Sequence, residues 1–475
     1  MVESAHVRLS VADVKAALGT AASGGRGGMI FKGVSTDSRT ADKDELFVAL
    51  EGDQFDGHDF IGTALERGIS GIVYRSGRDV QLPVGIVAFA VNDTLYALGE
   101  LARYHRGRLS ARVVGITGSN GKTTTKEITA SIARTTYRTA QTEGNLNNLV
   151  GLPMMLLRAP EDAEALVLEM GMNVPGEIRR LAEIAAPDIG VVTNIGPVHL
   201  EGVGSVAGVI AEKGVLPATL PPDGVAIFEG DMGYSGQLGA KTRARRLTFG
   251  LDGASDVRAE DLEDLGDRGT RATFVLPSGS FSAHLPIPGG HNLRNALAAS
   301  AVGEALGIPA DRIRQGIESV APIAMRMEIT KNPAGFVVLN DSYNANPVSM
   351  KAALAFLAGQ GPGNGGRSIA VLGDMLELGD FRAEGHQQVG AAAADLGVGL
   401  LFVIGDFAGD VRRGAISAGM DEGTIVTYPR GAHDTLINNL LDAVGSSDVI
   451  LVKGSRAMRM ERIAQALIND KERLP

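Results

Sequence analysis

A short apolar run, a polar turn and a helical pattern follow one another in the most informative stretch of the chain. Residues 113–116 are Val-Val-Gly-Ile, which predicts a buried strand. Lys122 begins a helix-forming run, and the turn before it carries Gly118 and Gly121. A helix N-terminus leaves backbone N–H groups unpaired and favours negative charge, and glycines let the backbone approach an anion closely. The pattern therefore predicts an anion-binding strand–turn–helix unit.

Strands and helices alternate after this unit. Residues 165–170 predict a strand that ends near Glu169, and residues 189–194 predict another that ends in Thr193 and Asn194. A helix follows Pro175, and Ser205 caps a predicted helix that runs to about residue 216. This alternation predicts a mostly parallel sheet, whose strand ends share one rim with the Gly-containing turn.

A more polar segment follows the parallel part. Residues 251–284 are rich in Asp, Glu and Arg, and residues 273–284 predict a hairpin across Pro-Ser-Gly. We expect an antiparallel appendage to the central domain here. Residues 289–300 return to a helical pattern.

Two polar boundaries, at residues 106–112 and 322–326, divide the chain into three predicted α/β domains. Beyond the second boundary, four apolar strands alternate with helices and predict a doubly wound, Rossmann-like unit that lacks the Gly-x-Gly-x-x-Gly motif. The segment 361–366, inside this unit, reads as a flexible Gly-rich loop. The predicted domains are residues 1–110, 111–324 (a P-loop NTPase-like unit) and 325–475.

Length, composition and charge exclude several classes of protein. A chain of 475 residues that is 44% hydrophobic is long enough for about three packed domains. A net charge of −10 argues against nucleic acid as the main partner. The absence of cysteine excludes disulfides and thiolate metal sites. The N-terminus has no secretory signal pattern and no run of 18 apolar residues occurs, so we expect a cytoplasmic protein without a membrane span.

The turn at residues 117–124 is a variant of the P-loop. Its Gly-Lys-Thr core matches, but Ile116 stands where the standard motif has its first glycine. Lys122 is placed to reach the terminal phosphates of a nucleotide, and the Thr123 hydroxyl to bind Mg²⁺. Glu169 is expected to hold the same cation, since Mg²⁺ takes a carboxylate together with phosphate oxygens. The alternatives are a Gly-rich turn without a ligand and a glutamate that only caps or forms a salt bridge.

Three further sites are ambiguous from the residues alone. The run Ser-Thr-Asp-Ser-Arg at 35–39 could hold the uracil, ribose or phosphates of a nucleotide, although an ordinary polar turn is favoured. His199 follows the strand end at Asn194, where a structural hydrogen bond is favoured over metal binding. Lys213 lies on a predicted helix, where an isolated lysine usually faces solvent.

At this point the residues carry a family resemblance. The loop Thr-Gly-Ser-Asn-Gly-Lys-Thr-Thr at 117–124 resembles the ATP loop of the Mur ligases, the ATP-dependent amide-bond ligases of peptidoglycan precursor synthesis. Further segments resemble the family in the right order and extend the likeness over essentially the whole chain. They are Thr-Glu-Gly-Asn-Leu-Asn-Asn (142–148), Leu-Glu-Met-Gly-Met-Asn (168–173), Thr-Asn-Ile-Gly (193–196), His-Leu-Glu-Gly (199–202), Gly-His-Asn-Leu-Arg-Asn-Ala (290–296) and Asn-Asp-Ser-Tyr-Asn-Ala-Asn-Pro (340–347).

Within the family, three segments look like the member that adds D-alanyl-D-alanine to UDP-N-acetylmuramoyl-tripeptide. They are residues 341–347, 371–379 and 453–456. The sibling that adds the third amino acid, diaminopimelate or lysine, usually has Tyr-Ala-His where this chain has Tyr-Asn-Ala-Asn, and its Asp-Asn-Pro-Arg motif is absent here. That sibling is the alternative function. A P-loop NTPase that switches conformation without ligation is the alternative from another class.

The resemblance implies roles for particular residues. ATP is expected at Thr117, Gly118, Ser119, Asn120, Gly121, Lys122, Thr123 and Thr124, with Asn292 and Asn295 near its base or ribose, and Arg326 and Asp341 closing from the C-terminal side. The UDP-linked substrate is expected at Ser35, Asp37, Ser38, Arg39, Asn145, Asn147 and Asn148. Weaker candidates for the dipeptide are Asn344, Asn346, Lys453 and Ser455.

The resemblance also implies a second Mg²⁺ bound by His199, and a carbamylated Lys213. A carbamate turns the lysine into a carboxylate-like ligand; the family often has Lys-x-Glu here, whereas this chain has Lys-Gly-Val. Lys122, Glu169, His199 and Lys213 are thus the expected catalytic set. The implied reaction passes through an acyl phosphate, which the dipeptide amine attacks, and we expect a monomer that binds these small molecules.

Overall fold

The computed structural model describes residues 7–25, 28–52, 55–198, 200–361 and 365–470. Three large sheets, of five, nine and six strands, follow one another along this part of the chain, and a two-stranded sheet lies near its start. Helices cover the large sheets, so the predicted α/β fold with mostly parallel sheets is confirmed.

The first unit is built on the five-stranded sheet, in the order β2-β7-β6-β5-β4. Its strands are β1 (Leu9–Ser10), β2 (Ala22–Ser23), β3 (Ile30–Phe31), β4 (Val34–Ser35), β5 (Leu46–Val48), β6 (Gly71–Arg75) and β7 (Val87–Val91), and its helices are α1 (Val11–Leu18), α2 (Ile61–Glu66) and α3 (Thr94–Arg106). β4 to β7 run parallel, and β2 joins β7 antiparallel. The Ser10 hydroxyl accepts the Asp13 N–H at 3.1 Å and caps α1, so the chain passes from β1 into α1 at this residue.

The central unit contains the nine-stranded sheet, in the order β16-β15-β14-β13-β12-β11-β8-β10-β9. Its strands are β8 (Arg112–Thr117), β9 (Thr139–Gln141), β10 (Ala165–Glu169), β11 (Ile189–Val192), β12 (Val225–Glu229), β13 (Arg245–Gly250), β14 (Val257–Asp264), β15 (Thr270–Leu276) and β16 (Gly279–Leu285). β8 to β14 are joined in parallel, while β14, β15 and β16 pair antiparallel. The expected hairpin therefore forms, and it extends the same sheet.

Nine helices of the described chain belong to this unit. They are α4 (Lys122–Arg134), α5 (Gly151–Leu157), α6 (Glu177–Ala185), α7 (Leu200–Val203), α8 (Val206–Lys213), α9 (Val215–Thr219), α10 (Ser235–Lys241), α11 (Gly290–Ala305) and α12 (Ala310–Glu318). Ser205 caps α8 as expected, with its hydroxyl accepting the Gly208 N–H at 3.1 Å. The predicted end near residue 216 is wrong: α8 ends at Lys213, and Gly214 separates it from α9.

The central strands are buried on both faces. Leu166 and Leu168 of β10 point into a core shared with the first unit, while Val167 points into a second core beneath α4 and α11. Helices α5 and α6 pack on α3 of the first unit within the shared core. The first two units are therefore joined by an apolar interface.

The last unit carries the six-stranded sheet, in the order β17-β18-β22-β19-β20-β21. Its strands are β17 (Glu328–Lys331), β18 (Val337–Asp341), β19 (Ser368–Gly373), β20 (Leu400–Ile404), β21 (Ile425–Tyr428) and β22 (Val449–Lys453), and its helices are α13 (Pro347–Gln360), α14 (Arg382–Asp395), α15 (Ala408–Ser417), α16 (His433–Ala443) and α17 (Glu461–Asn469). β17 is antiparallel and the other five strands are parallel, with a core on each face. The expected doubly wound unit is thus confirmed.

Two further predictions concern the domain boundaries and a loop inside the last unit. The domain boundaries near residues 110 and 324 stay predictions. The loop expected at 361–366 contains residues 362–364, which lie outside the described part of the chain. Within the described residues, no helix combines the length and apolar character needed to cross a bilayer.

Candidate active site

The turn between β8 and α4 requires glycine at two positions. Gly118 has φ of 152°, and a Cβ there would lie 1.8 Å from the Thr193 hydroxyl oxygen. Gly121 has φ of 78°, and a Cβ there would lie 2.2 Å from the Asn295 side-chain oxygen. Larger residues would clash with the neighbouring groups and strain the backbone. The loop can therefore lie directly against the ends of β11 and α11.

The end of β11 holds this loop through four hydrogen bonds. Ser119 N–H donates to the Asn194 carbonyl at 2.9 Å, and Asn120 N–H donates to the Asn194 side-chain oxygen at 2.9 Å. The Asn120 carbonyl accepts from the Thr193 hydroxyl at 2.6 Å and from the Asn194 side-chain amide at 3.0 Å. The sequence placed Asn194 on the rim but gave it no role, because this contact joins residues more than 70 positions apart.

Strand register brings Glu169 to the same rim. Glu169 lies opposite Ile116 on the neighbouring strand, one residue before the loop begins. Its carboxylate is 2% exposed, accepts the Thr123 hydroxyl at 2.9 Å and accepts the Asn147 side-chain amide at 2.8 Å. A hydroxyl and a carboxylate oxygen thus lie side by side at the start of α4. Oxygen pairs of this kind suit a hard divalent cation.

Lys122 reaches back over the loop. Its ammonium donates to the Gly118 carbonyl at 2.8 Å. Desolvation lowers the pKa of Lys122, and the charge of Arg326 lowers it further, whereas Glu169 and Glu377 raise it. Charged groups of both the central and the C-terminal unit therefore act on this ammonium. At the start of α4 it can neutralise the charge of a phosphate.

Lys213 is fully buried at the end of α8. Its side chain is 0% exposed, and its Nζ has no hydrogen-bond partner among the described residues. Burial lowers the pKa of Lys213 well below its ordinary value, and the nearby charge of Lys122 lowers it further against the opposing effect of Glu212. Burial therefore favours the neutral form of this amine over the ammonium. This environment contradicts the solvent-facing role that the helical pattern alone favoured.

The first turn of α11 packs on α4. Asn292 and Asn295 are both buried, and the Asn295 amide donates to the Asn292 side-chain oxygen at 3.0 Å. The Thr125 hydroxyl donates to the Asn295 oxygen at 3.4 Å. Both asparagines are therefore buried against the start of α4, and Thr124 is buried as well.

The C-terminal unit contributes side chains directly to the loop. The Arg326 guanidinium donates to the Thr123 hydroxyl at 2.8 Å and stacks 4.1 Å from the centre of the Tyr343 ring. The Asn346 amide donates to the Asn120 side-chain oxygen at 2.5 Å. The two units are thus in a closed arrangement at the P-loop.

Behind these contacts, buried polar groups orient the C-terminal residues. The Lys453 ammonium lies 2.5 Å from the Asp341 carboxylate and donates to the Asn344 carbonyl at 2.9 Å. The other Asp341 oxygen accepts the Met327 N–H at 3.1 Å, which links it to the segment that carries Arg326. The Ser455 hydroxyl accepts the Leu376 N–H at 2.9 Å.

The matches to known protein families follow the three units. The model described as "Mur ligase family, catalytic domain" matches residues 30–106, "Mur ligase middle domain" matches 116–303, and "Mur ligase, glutamate ligase domain" matches 325–456. A UDP-N-acetylmuramoyl-tripeptide–D-alanyl-D-alanine ligase of Bacillus subtilis is 37% identical over 447 residues, covering 92% of this chain and 93% of the relative. The chain belongs to the Mur ligase family.

Other members of the Mur ligase family also match this chain over almost its whole length. The ligase of the same name from Escherichia coli is 37% identical over 91% of this chain and 93% of its own length. A crystal structure of MurF from Acinetobacter baumannii matches with a TM-score of 0.89 and 31% identity, covering 98% of this chain and all of that one. A MurF ligase from Thermotoga maritima in complex with ADP matches with a TM-score of 0.81 and 28% identity over 93% of this chain and 98% of that one.

The residues predicted for the first substrate lie on the first unit and on the segment before α5. Ser35 ends β4 and is buried with Ser38, whereas Arg39 is exposed and pairs with Asp37 at 2.7 Å. Hydrogen bonds from Arg39 hold the pKa of Asp37 at about 2. These contacts are local, so a ligand role for the four residues stays a prediction.

The three predicted asparagines before α5 differ in their surroundings. Asn145 is exposed, and the Asn148 side chain accepts the Gly151 N–H, the first of α5, at 2.8 Å. Asn147 alone reaches the loop rim, through its bond to Glu169. His199 lies outside the described residues, so its predicted role as a metal ligand stays a prediction.

Sequence reasoning missed the buried Lys126 and gave no role to Tyr343. Lys126 is 1% exposed and donates to the Thr142 carbonyl at 2.8 Å, while the Thr142 hydroxyl accepts the Glu169 N–H at 2.9 Å. Lys126 thus supports the strand end that carries the carboxylate. Its spacing of four residues from Lys122 places both on one side of α4, which is the signal that could have indicated an inward position.

Proposed function

We propose that this chain is the ATP-dependent ligase that joins D-alanyl-D-alanine to UDP-N-acetylmuramoyl-tripeptide, giving the UDP-linked pentapeptide of peptidoglycan synthesis. The observation that carries the proposal is the 37% identity, over 92% of the chain, to a relative named for that reaction. The family-model matches in three consecutive units support the same assignment.

ATP is the nucleotide in this proposal, and the P-loop is its site. The Thermotoga maritima relative, whose structure was solved in complex with ADP, supports an adenine nucleotide. In this proposal residues 117–124 bind the phosphates of ATP. Asn292 and Asn295 lie near its base or ribose. Arg326 supports this arrangement, since it already touches Thr123 from the opposite unit. Its guanidinium matches phosphate geometry with two parallel donors.

The proposed chemistry is carboxylate activation followed by amide formation. The terminal carboxylate of the tripeptide attacks the γ-phosphorus of ATP, the bond to the β-phosphate oxygen breaks, and ADP leaves. The dipeptide amine then attacks the acyl phosphate carbonyl and expels inorganic phosphate. Lys122 and Arg326 stabilise the negative charge that develops on the phosphoryl oxygens. Contacts between the C-terminal unit and the loop exclude water, which would otherwise hydrolyse the acyl phosphate.

Magnesium fits the residues at the rim. The Thr123 hydroxyl and the Glu169 carboxylate would hold one ion, and their 2.9 Å separation supports this pairing of oxygens. His199 and a carbamylated Lys213 would hold a second. When bound, Mg²⁺ neutralises phosphate charge and orients the oxygens for in-line transfer.

Carbamylation of Lys213 is supported by the surroundings of its amine. The Nζ atom is buried and unpartnered within the described chain, and a lowered pKa keeps its lone pair free. Reaction with CO₂ forms an N–C bond and releases a proton, which leaves an anion near the Lys122 cation. The product would remove an unsatisfied buried amine and supply ligand oxygens.

The two substrates would approach from different units. Ser35, Asp37, Ser38, Arg39, Asn145, Asn147 and Asn148 are proposed for the UDP-linked peptide, and Asn344, Asn346, Lys453 and Ser455 for the dipeptide side, while Asp341 is proposed with Arg326 for the nucleotide. The proposal uses three domains, at residues 1–110, 111–324 and 325–475. The first two would hold the UDP-linked peptide and the third would hold the dipeptide. The chain is proposed to act as a monomer.

Phosphate release tests the assignment. ATP, Mg²⁺ and enzyme are combined with the UDP-tripeptide and D-alanyl-D-alanine, separately and together, and products are weighed by mass spectrometry. We expect release only with both substrates and a product heavier by the dipeptide. Release without either substrate would instead indicate a switching NTPase. Release with the UDP-dipeptide and a free diamino acid would indicate the third-residue-adding sibling.

A further inference from the structure

The dipeptide that this proposed reaction consumes carries a terminal carboxylate whose charge the protein must match. Only its amine reacts, so its terminal carboxylate remains ionised throughout. An ionised carboxylate at a closed interface is costly unless a cation or several donors pair with it. In an extended dipeptide, the carboxylate lies at most about 7 Å from the reacting nitrogen. A cation close to the P-loop on the C-terminal side is therefore needed.

Two nearby C-terminal cations are already committed. Arg326 bonds to Thr123 and stacks on Tyr343. Lys453 is 3% exposed and pairs with the Asp341 carboxylate at 2.5 Å. Arg326 is already assigned to the phosphates of the nucleotide, and Lys453 would have to leave Asp341 to bind a second carboxylate.

Arg456 is a third cation of the C-terminal unit, and it lies close to Arg326 in the structure. One of its guanidinium nitrogens lies 3.3 Å from the sulfur of Met325, the residue directly before Arg326. Its charge also acts on Tyr343: burial raises the pKa of the Tyr343 hydroxyl, while the charges of Arg326 and then Arg456 lower it. Tyr343 in turn stacks on Arg326, the residue that contacts Thr123 of the loop.

The surroundings of Arg456 leave it able to bind a ligand. Its side chain is 53% exposed, and its ion pair with Glu461 is 3.3 Å long and joins a single guanidinium nitrogen. Such partly exposed pairs contribute little to stability. The guanidinium therefore retains donors for a carboxylate, which it can bind with two parallel hydrogen bonds.

We propose that Arg456 binds the terminal carboxylate of the incoming dipeptide and so selects an acceptor with a free C-terminus. The inference rests on the proposed function and adds a specificity residue to it. Arg456 binds the acceptor and leaves the phosphoryl chemistry to Lys122 and Arg326.

The test compares D-alanyl-D-alanine with its C-terminal amide as acceptor, in the full-length enzyme with ATP, Mg²⁺ and the UDP-tripeptide. We expect the wild type to prefer the free acid by about 10- to 100-fold in kcat/KM, the range for a charged hydrogen bond. Arg456→Ala should lose this preference through a higher KM for the free acid, with the KM for ATP unchanged. The preference of Arg456→Lys for the free acid should lie between those of the wild type and Arg456→Ala, since lysine keeps the charge but cannot bind a carboxylate in a bidentate manner.

Arg462→Ala is the matched control. Arg462 is 49% exposed and pairs with Asp434 of α16 at 3.0 Å, so it has the same residue type and similar exposure to Arg456 but a different neighbour. It should retain the preference of the wild type. Thermal unfolding of each variant identifies loss of the fold.

Three outcomes would overturn the inference. The first is a wild type that uses acid and amide equally, a result that needs no variant. The second is Arg456→Ala with an undiminished preference, and the third is a variant whose main defect is a higher KM for ATP, which would mean that Arg456 only supports Arg326. A wild type that does not ligate D-alanyl-D-alanine at all would instead refute the proposed function itself.

Discussion

Replacing Lys213 with methionine gives the sharpest test of the buried amine. Methionine keeps an unbranched side chain of similar length but removes the titratable nitrogen. In the folded chain, Lys213 is 0% exposed and its Nζ is unpartnered among the described groups. The substitution therefore removes a desolvated polar atom and sacrifices no described hydrogen bond.

The expected magnitude follows from proton linkage. The unfolded chain keeps Lys213 protonated up to its ordinary pKa of 10.5, whereas burial makes the folded chain release that proton at a much lower pH. Between the two pKa values the unfolded state binds one more proton, so the free energy of unfolding rises with pH by about 1.4 kcal/mol per unit. This contribution is absent from Lys213→Met, which should be the more stable protein at lower pH and lose that advantage as the pH rises toward 10.5.

Urea unfolding at pH 8.5 and 9.5 in CO₂-free buffer measures the effect. The difference in free energy between Lys213→Met and wild type should shrink by about 1.4 kcal/mol across that unit. Lys331→Met, which alters an exposed lysine of β17, serves as the control and should follow the wild type. Bicarbonate should then stabilise the wild type and leave Lys213→Met unchanged, because only a neutral amine forms a carbamate. Parallel pH profiles for Lys213→Met and wild type would refute a neutral buried amine.

Three further substitutions address the P-loop. Lys122→Ala should lower the rate of phosphate release by at least about 100-fold through loss of charge at the phosphoryl oxygens, and near-normal turnover would contradict the P-loop assignment. Arg326→Ala should lower kcat/KM for ATP by about 10- to 100-fold, because a charged hydrogen bond to Thr123 is lost; unchanged kinetics would mean that the contact has no role in nucleotide binding. Gly121→Ala should raise the KM for ATP and lower the thermal midpoint, since its Cβ meets Asn295 at 2.2 Å; a wild-type KM would show that the loop can adjust.

The sequence by itself determined the elements and the chemistry that each could carry. Apolar runs of four to six residues in alternation with helical patterns predict a parallel sheet, because strands buried on both faces need no polar positions. Gly118, Gly121 and Lys122 between a strand and a helix predict phosphate binding from local geometry alone. The resemblance in ordered motifs then added the reaction class, which periodicity does not contain.

Only the tertiary structure decided how side chains from different units meet. Arg326 and Thr123 are 203 residues apart, and Asn346 and Asn120 are 226 apart, yet each pair forms a hydrogen bond. Such contacts depend on how the domains pack, and no local pattern encodes that geometry. The helix boundary at Gly214 was missed for a similar reason, because one glycine in a helical run is tolerated unless packing selects a break.

The lysines show most clearly which features the sequence determines and which ones depend on burial in the tertiary structure. Lys122, Lys126 and Lys213 all lie on helical patterns, where a lysine usually faces water. The fold buries Lys126 against the Thr142 carbonyl and leaves Lys213 without a described partner. The ionisation of an amine depends on the solvent and charges that surround it in three dimensions. The sequence therefore supplied the reactive groups, and the packing of the three units determined how deeply each one is buried and which groups surround it.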